Sequence, residues 1–455
     1  MLQSIGVRIM LLRFLLNNWM SYKEDTELNL LATAEKQHAE TLSSVKKFRL
    51  KLLPLTAIYG ANASGKSNLV EALAFVKTYV LQGVGINDAI PVKRFKLDDL
   101  GTQKPLTIEL DLLINELIYE FAFSVTPDRV VSESLHRVNS TSRKMLYSRV
   151  GQEFVLGEGL KERELLNFST KTTRANTLFL TNTVLQAIPT FKELFEWFEK
   201  QLVIVTPYTM FGPVNRIIDK SDPLSKSVSQ LLVEFGTGVE RLEGQEIDLS
   251  SVPLSTENLK ALQTQLKDGE KSVIRHPWLT SAIVLYKQGD EIKAKKVIAK
   301  HRKTDGTEVA FSLDEESDGT NRLVDLAPSL LMLCQPKLPT VVVIDELDRS
   351  LHTLVTQECL KRFLDHCGQD NRNQLIFTTQ DVQLMDQRLL RRDEIWVSEK
   401  NSNGESTLVA FSEFKDIRSD NNLINNYLLG RLGGLPNISG LFINDSNRGY
   451  YVPSL

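Results

Sequence analysis

Gly60-Ala61-Asn62-Ala63-Ser64-Gly65-Lys66-Ser67 has the residue types and spacing of a phosphate cradle, Gly-x-x-x-x-Gly-Lys-Ser/Thr, with no mismatch. Glycine at 60 and 65 lets backbone N–H groups turn inward around phosphate oxygens at the positive end of a helix. Lys66 would reach the β- and γ-phosphates of a nucleotide, binding them and assisting their transfer, and the Ser67 hydroxyl would ligate Mg²⁺. Asn62, Ala63, Ser64 and Asn68 complete the expected nucleotide contacts. A second element supplies carboxylates. Val341-Val342-Val343-Ile344 reads as a strand buried on both faces, as in the centre of a parallel sheet, and it ends in Asp345-Glu346. Asp345 would hold Mg²⁺ through water, and Glu346 would polarise the attacking water as general base. A strand that ends in an acidic turn is common by itself; beside the 60–67 loop it reads as the other half of a nucleotide site.

The elements around these residues alternate as α/β. An apolar run Leu52–Tyr59 enters the glycine-rich turn, and Leu69, Ala72, Leu73 and Val76 share one face of a helix over 68–81. Met10–Leu16 and Thr26–Leu30 read as strands, and Leu106–Asn115 and Ile118–Val125 as a hairpin turning near Glu116. Phe191–Gln201 is amphipathic and aromatic-rich, and the chain keeps a helical pattern to about 270, broken at Pro213, Pro223 and Pro253. Ile283–Tyr286 and Ile292–Ala299 suit a second hairpin. Helices over about 320–333 and 355–365 then bracket the Val341 strand, and a further strand covers Gln374–Thr379. Lys66 and Asp345 are too far apart for a small nucleotide kinase, so a large insertion must split one nucleotide fold. The expected organisation is an ATPase N-terminal lobe over 1–190, a mostly helical insertion over 191–270 and a C-terminal lobe over 271–455.

With 455 residues, 54 Lys+Arg against 57 Asp+Glu, 42% hydrophobic and 24% charged residues, the composition excludes a disordered chain, a collagen-like fibre and a wholly basic nucleic-acid coat. Cys334, Cys359 and Cys367 are too few for a disulfide framework and suit a reducing cytosol. Cys359, His366 and Cys367 lack zinc-ligand spacing with a second pair. No apolar run approaches the ~18 residues of a membrane span. The opening nine residues lack a signal-peptide pattern, and Met10 offers a second start. A soluble, cytoplasmic protein without membrane contact is expected.

Further motifs carry a likeness to a known group. Asn18-Trp19-Met20-Ser21-Tyr22 is similar to an Asn-Phe-x-Ser-Phe segment, Ser317-Asp318-Gly319-Thr320-Asn321-Arg322 to a Ser-x-Gly-Thr-x-Arg signature, and Asp345–His352 to a Walker B strand end with its D-loop. Arg391–Trp396 and Tyr427–Arg431 fit the C-terminal end of the same pattern. The sequence resembles the ABC-type ATPases of the SMC-like and OLD (overcoming lysogenization defect) clade, and within it the RloA/AbiLi-type ATPases of prokaryotic abortive-infection loci. The resemblance implies an ABC-type P-loop head with a mixed β region at its N-terminus, ATP and Mg²⁺ as ligands, and a head-to-tail dimer or higher homo-oligomer. In such an assembly Ser317 and Gly319, at the bare N-terminus of the 320–333 helix, face the γ-phosphate held by the other protomer. It also implies a sensor or scaffold in antiphage defence that controls a separate, nuclease-like effector, because no Asp-x-Asp pair follows the last strand.

The sequence departs from that pattern at Gln380, which stands where the group carries a switch His; glutamine can hydrogen-bond a phosphate or water but cannot take up a proton. Slow hydrolysis is therefore expected. Several readings stay open here. Trp19 or Tyr22 either stacks on adenine or is an ordinary core or surface aromatic. Arg322 is a charge stabiliser acting across the dimer or a surface residue. His352 lies at the dimer seam or simply begins a helix, and Gln82 and Gln103 both compete for a phosphate-sensing glutamine. The basic runs Lys46–Lys51 and Lys293–Lys303 are solvated faces or a sequence-independent phosphate track for nucleic acid. Function is likewise open between the defence ATPase, an SMC-like ATPase acting on DNA, and a nucleotide-locked scaffold with negligible turnover.

Overall fold

A computed structural model of the chain describes residues 9–207, 214–274, 283–335, 339–414 and 423–435. The opening residues through Arg8, Pro213 and the end of the C-terminal tail lie outside them. From the N-terminus come β1 (Ile9–Asn17), β2 (Thr26–Asn29), the short pair β3 (Ser43–Val45) and β4 (Leu50–Leu52), β5 (Leu55–Tyr59) and α1 (Lys66–Gln82). After α2 (Asp99–Gln103) the chain meanders through β6 (Leu106–Ile114), β7 (Leu117–Val125), β8 (Val130–Val138), β9 (Arg143–Val150) and β10 (Glu153–Leu156). Helices α3 (Arg163–Thr172), α4 (Phe179–Leu185) and α5 (Lys192–Glu196) lead to β11 (Leu202–Val205). Then follow α6 (Val214–Ile217), α7 (Pro223–Glu234), β12 (Arg241–Ile247), α8 (Thr256–Gln265), β13 (Lys271–Ile274), β14 (Ile283–Gln288), β15 (Glu291–Arg302) and β16 (Glu308–Ser312). The last part holds α9 (Asp318–Leu333), β17 (Val341–Ile344), α10 (Thr353–Leu364), β18 (Gln374–Thr378), β19 (Ile395–Lys400), β20 (Ser406–Ala410) and α11 (Leu423–Leu428).

These strands make the expected α/β head. A six-stranded sheet in the order β11-β17-β18-β5-β19-β20 is parallel except for β20. β5, β17 and β18 are buried at every residue, which explains their unbroken apolar runs: both faces are covered. One face packs on α1 and on the antiparallel sheet β10-β9-β8-β7-β6-β1-β2, the other on α9 and α10. The hairpin β6–β7 turns at Asn115 and Glu116, both left-handed (φ 49° and 59°), as a tight two-residue turn between twisted strands requires.

Residues beyond β11 form a further antiparallel sheet, β12-β15-β14-β13, with β16 also on β15. β11 lies within the stretch expected to be mostly helical, yet it pairs with β17 in the six-stranded sheet; β12 lies there too and pairs with β15 beyond residue 270. The sheet thus runs across that position. α9 joins the two parts: Leu326, Leu330 and Leu333 face the parallel sheet, while Leu323, Val324 and Ala327 face α7 and the antiparallel sheet.

The basic run on β15 lies against acidic residues of neighbouring strands. Lys300 reaches Glu243 at 3.4 Å, Arg302 reaches Glu240 at 2.5 Å, and Lys295 lies 3.9 Å from Glu246 and over the Tyr286 ring. Burial alone would raise the Glu243 carboxyl, but Lys220, Lys300 and Arg241 hold it below its ordinary value. Half the run is therefore a cross-strand charge ladder.

The Arg391–Glu394 segment is a buried clamp. Arg391 is paired with Asp393 at 2.7 Å and donates to the carbonyl of Gln37, while Asp393 accepts from Thr33 N–H and Oγ1, both at 2.8 Å. Glu394 is 1% exposed, and burial, reinforced by Asp393, pushes its carboxyl up to about 8. Its folded value lies above its unfolded one, so its contribution to stability is complete below about pH 4.5 and is lost as pH rises through about 8. Urea midpoints should accordingly fall between pH 5 and 8 in the wild type and fall less in Glu394→Gln.

Candidate nucleotide site

The loop after β5 closes as its glycines allow. Gly60 has φ 151°, and a Cβ there would lie 2.3 Å from Ser398 O; Gly65 has φ 117°, and a Cβ would meet Ser406 Oγ at 2.6 Å. Only glycine fits either position. α1 begins at Lys66, so the loop ends on a helix N-terminus. Lys66 is buried and its Nζ donates to the loop's own carbonyls, Gly60 O at 2.7 Å and Ala61 O at 3.0 Å. Burial holds its ammonium below the usual lysine value, against Asp345, Glu346 and Asp348, which favour the charge. Asn62 and Ala63 form the exposed tip; Ser64 is buried, and its Oγ has no hydrogen-bond partner among the described residues.

Sheet order brings the carboxylates to this loop. β18 lies between β5 and β17, so its last residue, Thr378, stands between the two halves of the site. Thr378 Oγ1 donates to Asp345 Oδ1 at 2.6 Å and accepts the Glu346 N–H at 2.8 Å. Ser67 Oγ reaches the same Asp345 oxygen at 3.2 Å. Lys66, Ser67, Asp345 and Glu346 are thus brought together, and Glu346 is held at φ 51°, a left-handed conformation that glutamate adopts only under local constraint. A hydroxyl and a carboxylate in contact are hard oxygen donors of the kind Mg²⁺ takes alongside phosphate oxygens. Among the described residues no group of three or more His, Cys, Asp or Glu side chains could hold a metal by itself.

The loop is braced from behind by the Asn18–Tyr22 segment and by two serines that carry no motif, Ser398 and Ser406. Ser398 Oγ and Ser406 Oγ donate to Ser64 O at 3.0 and 2.6 Å, Ser406 also reaches Ser21 Oγ at 2.8 Å, and Tyr22 OH donates to Gly65 O at 3.1 Å. Asn68 donates to Ser21 at 2.6 Å, and the Trp19 indole N–H donates to Asn68 O at 2.8 Å. Trp19 and Tyr22 are 1% and 0% exposed, so both are core residues supporting the loop rather than faces open to a base.

Ser317 caps α9, accepting the Thr320 N–H at 3.1 Å, and Gly319 lies so close to Ser350 O that a Cβ would come within 2.9 Å. Both stand at an exposed helix end, and among the described residues no hydrogen bond joins them to the loop of the same chain. Arg322, 6% exposed, is not a surface residue. It donates to Asp345 O at 3.0 Å and Glu346 O at 2.8 Å, tying the signature helix to the carboxylate turn. His352 caps α10 through Nδ1. Gln380 is exposed just after β18, at the end of the sheet that carries Lys66 and Glu346. Gln82 is the last residue of α1, about 24 Å along the helix from Lys66 at ~1.5 Å per residue, too far to sense a phosphate there. Gln103 ends α2 and, among the described residues, makes no hydrogen bond to the site.

A protein-family model described as "AAA domain, putative AbiEii toxin, Type IV TA system" matches residues 55–154 and 230–386, more than half of the chain. The chain belongs to this family. The match spans both the 60–67 loop and the Asp345–Glu346 turn, so this AbiEii-type AAA domain is a P-loop ATPase domain. Among solved structures, the chain is similar to the SMC head domain from Thermotoga maritima (15% identity, 88% of this chain and 98% of that one, TM-score 0.36). It is also similar to the SmcHead bound to the C-winged helix domain of ScpA (15% identity, 88% and 98%, TM-score 0.34) and to the recombination mediator protein RecF-ATP (13% identity, 90% and 100%, TM-score 0.34). No curated protein matches the chain. Among the described residues no helix is long and apolar enough to cross a membrane.

Proposed function

We propose that the chain is a Mg²⁺-dependent ATPase whose nucleotide is closed between two protomers, one presenting its 60–67 loop and the other its Ser317–Gly319 helix end. The observation that carries this reading is the convergence of Lys66, Ser67, Asp345 and Glu346 around Thr378. Lys66 would exchange the Gly60 and Ala61 carbonyls for phosphate oxygens, and Ser67 with Asp345 would hold Mg²⁺, which neutralises charge on the β- and γ-phosphates. Glu346 orients and deprotonates the attacking water, kept in place by Thr378 and by Arg322 beneath its turn. Gln380 donates a hydrogen bond where a histidine would also carry charge, so turnover is slow and the ATP-bound assembly long-lived. Gln380→His is expected to raise kcat; unchanged turnover would remove Gln380 from the mechanism.

The family's description names an AbiEii toxin of a type IV TA system, and this supports a cytoplasmic sensor or scaffold in antiphage defence, of the RloA/AbiLi kind, that holds or releases a separate, nuclease-like effector. The alternative, an SMC-like ATPase acting on DNA, finds less support because much of β15's positive charge is already matched by carboxylates. Sedimentation velocity with and without ATP-Mg²⁺ tests the reading. Mass should double or rise further with ATP; a monomer at every ATP concentration would overturn it. Hydrolysis stimulated by DNA and lost on neutralising Lys293–Lys303 would favour the alternative.

A further inference from the structure

Two sheets end side by side, away from the phosphates. β2 is the last strand of the antiparallel sheet and β20 the last strand of the parallel one, and between them runs a cleft of about 450 Å³. An outermost strand offers backbone donors and acceptors to an incoming chain, and among the described residues no strand is hydrogen-bonded to the outer side of either, although the two approach each other across the cleft. The cleft wall carries Glu24, Asp25, Glu27 and Glu413 and not one lysine or arginine. Arg13 approaches Glu27 at 3.6 Å and Asn17 donates to Asp25, but Glu24 and Glu413 remain exposed carboxylates at the rim.

A second, independent feature lies in the wall itself. Trp396 is 5% exposed and lines the cleft, and its indole N–H has no hydrogen-bond partner among the described residues. A buried donor without an acceptor carries a standing penalty, which an acceptor arriving with an occupant would offset. Half-buried Leu408 and Val409 beside it offer apolar contacts.

We infer that this cleft docks an extended, lysine- or arginine-bearing segment of a separate protein, which adds as a strand along these edges and gives the Trp396 N–H a carbonyl. Nucleic acid does not suit it, because the carboxylates repel phosphate. The occupant would lie next to the nucleotide loop: Ser406, the first residue of β20, lines the cleft and also holds Ser64 O. The inference does not use the two-protomer site, and its test runs without nucleotide.

The probe is a blocked, fluorescently labelled alternating Lys-Val peptide of about eight residues, a little over a typical strand length. Added to the full chain, it should bind saturably and slow amide exchange in 26–29 and 406–410. Glu24→Lys combined with Glu413→Gln, which keeps the acceptor for Ala410 N–H, should weaken it by about tenfold or more. The same peptide N-methylated at alternate residues keeps its charge but cannot pair as a strand, and should not bind. Equal binding of the N-methylated peptide, equal binding to the double variant, or no saturable binding would each overturn the inference. So would a peptide-free wild-type dimer that the double variant dissolves, since the occupant would then be a second copy of the chain.

Discussion

Glu346→Gln stops hydrolysis while leaving ATP bound: kcat falls by about 10²–10⁴-fold, the usual worth of a positioned general base, with little change in KM. The substitution keeps the size of the side chain, and the backbone contacts that fix position 346 do not involve the carboxylate. Its N–H stays on Thr378 Oγ1 and its carbonyl on Arg322. What is lost is the ability to accept a proton from water. Rapid-quench turnover with labelled ATP, beside equilibrium binding of the same nucleotide, separates the two effects. A loss smaller than about tenfold would place the base elsewhere, and unchanged turnover would favour a scaffold that merely holds nucleotide.

Lys66→Ala removes binding rather than chemistry alone. A buried ammonium that bonds its own loop's carbonyls is poised to be drawn to phosphate, since burial already disfavours its charge there. A charge-assisted contact of about 1.5–3 kcal/mol corresponds to a 10- to 100-fold weaker ATP affinity at least. Thermal shift reads this directly. Saturating ATP-Mg²⁺ should raise the wild-type melting temperature through binding to the folded state alone, and the rise should vanish in Lys66→Ala. An undiminished ATP shift would mean that the nucleotide lies elsewhere.

What was legible in the sequence is what local residues determine. The 60–67 loop, the strand before Asp345, the signature helix with Ser317 as its cap and the two hairpins each occupy one short stretch, and each forms where its pattern says. What was not legible depends on partners remote in sequence. Trp19 and Tyr22 read equally as faces for a base or as ordinary aromatics until β19 and α1 close over them. Arg322 looks exposed until its helix packs under the Asp345 turn. The lysines of β15 read equally as a solvated face or a phosphate track until β12 sets Glu243 and Glu246 beside them. β11 hides inside a helical stretch because four apolar residues are too few to announce a strand. Ser398 and Ser406 carry no signal at all, being ordinary serines that touch the loop only because β19 and β20 run behind it.

The central claim is that each ATP site is built from two protomers. It is tested most directly by measuring hydrolysis in a mixture of Lys66→Ala and Ser317→Arg chains. Each variant alone should be inactive, the first for lack of phosphate binding and the second for a blocked helix end. In mixed dimers one site joins an intact 60–67 loop to an intact Ser317, so activity should return on mixing. A mixture as inactive as its components, or a Ser317→Arg chain fully active by itself, would contradict the account.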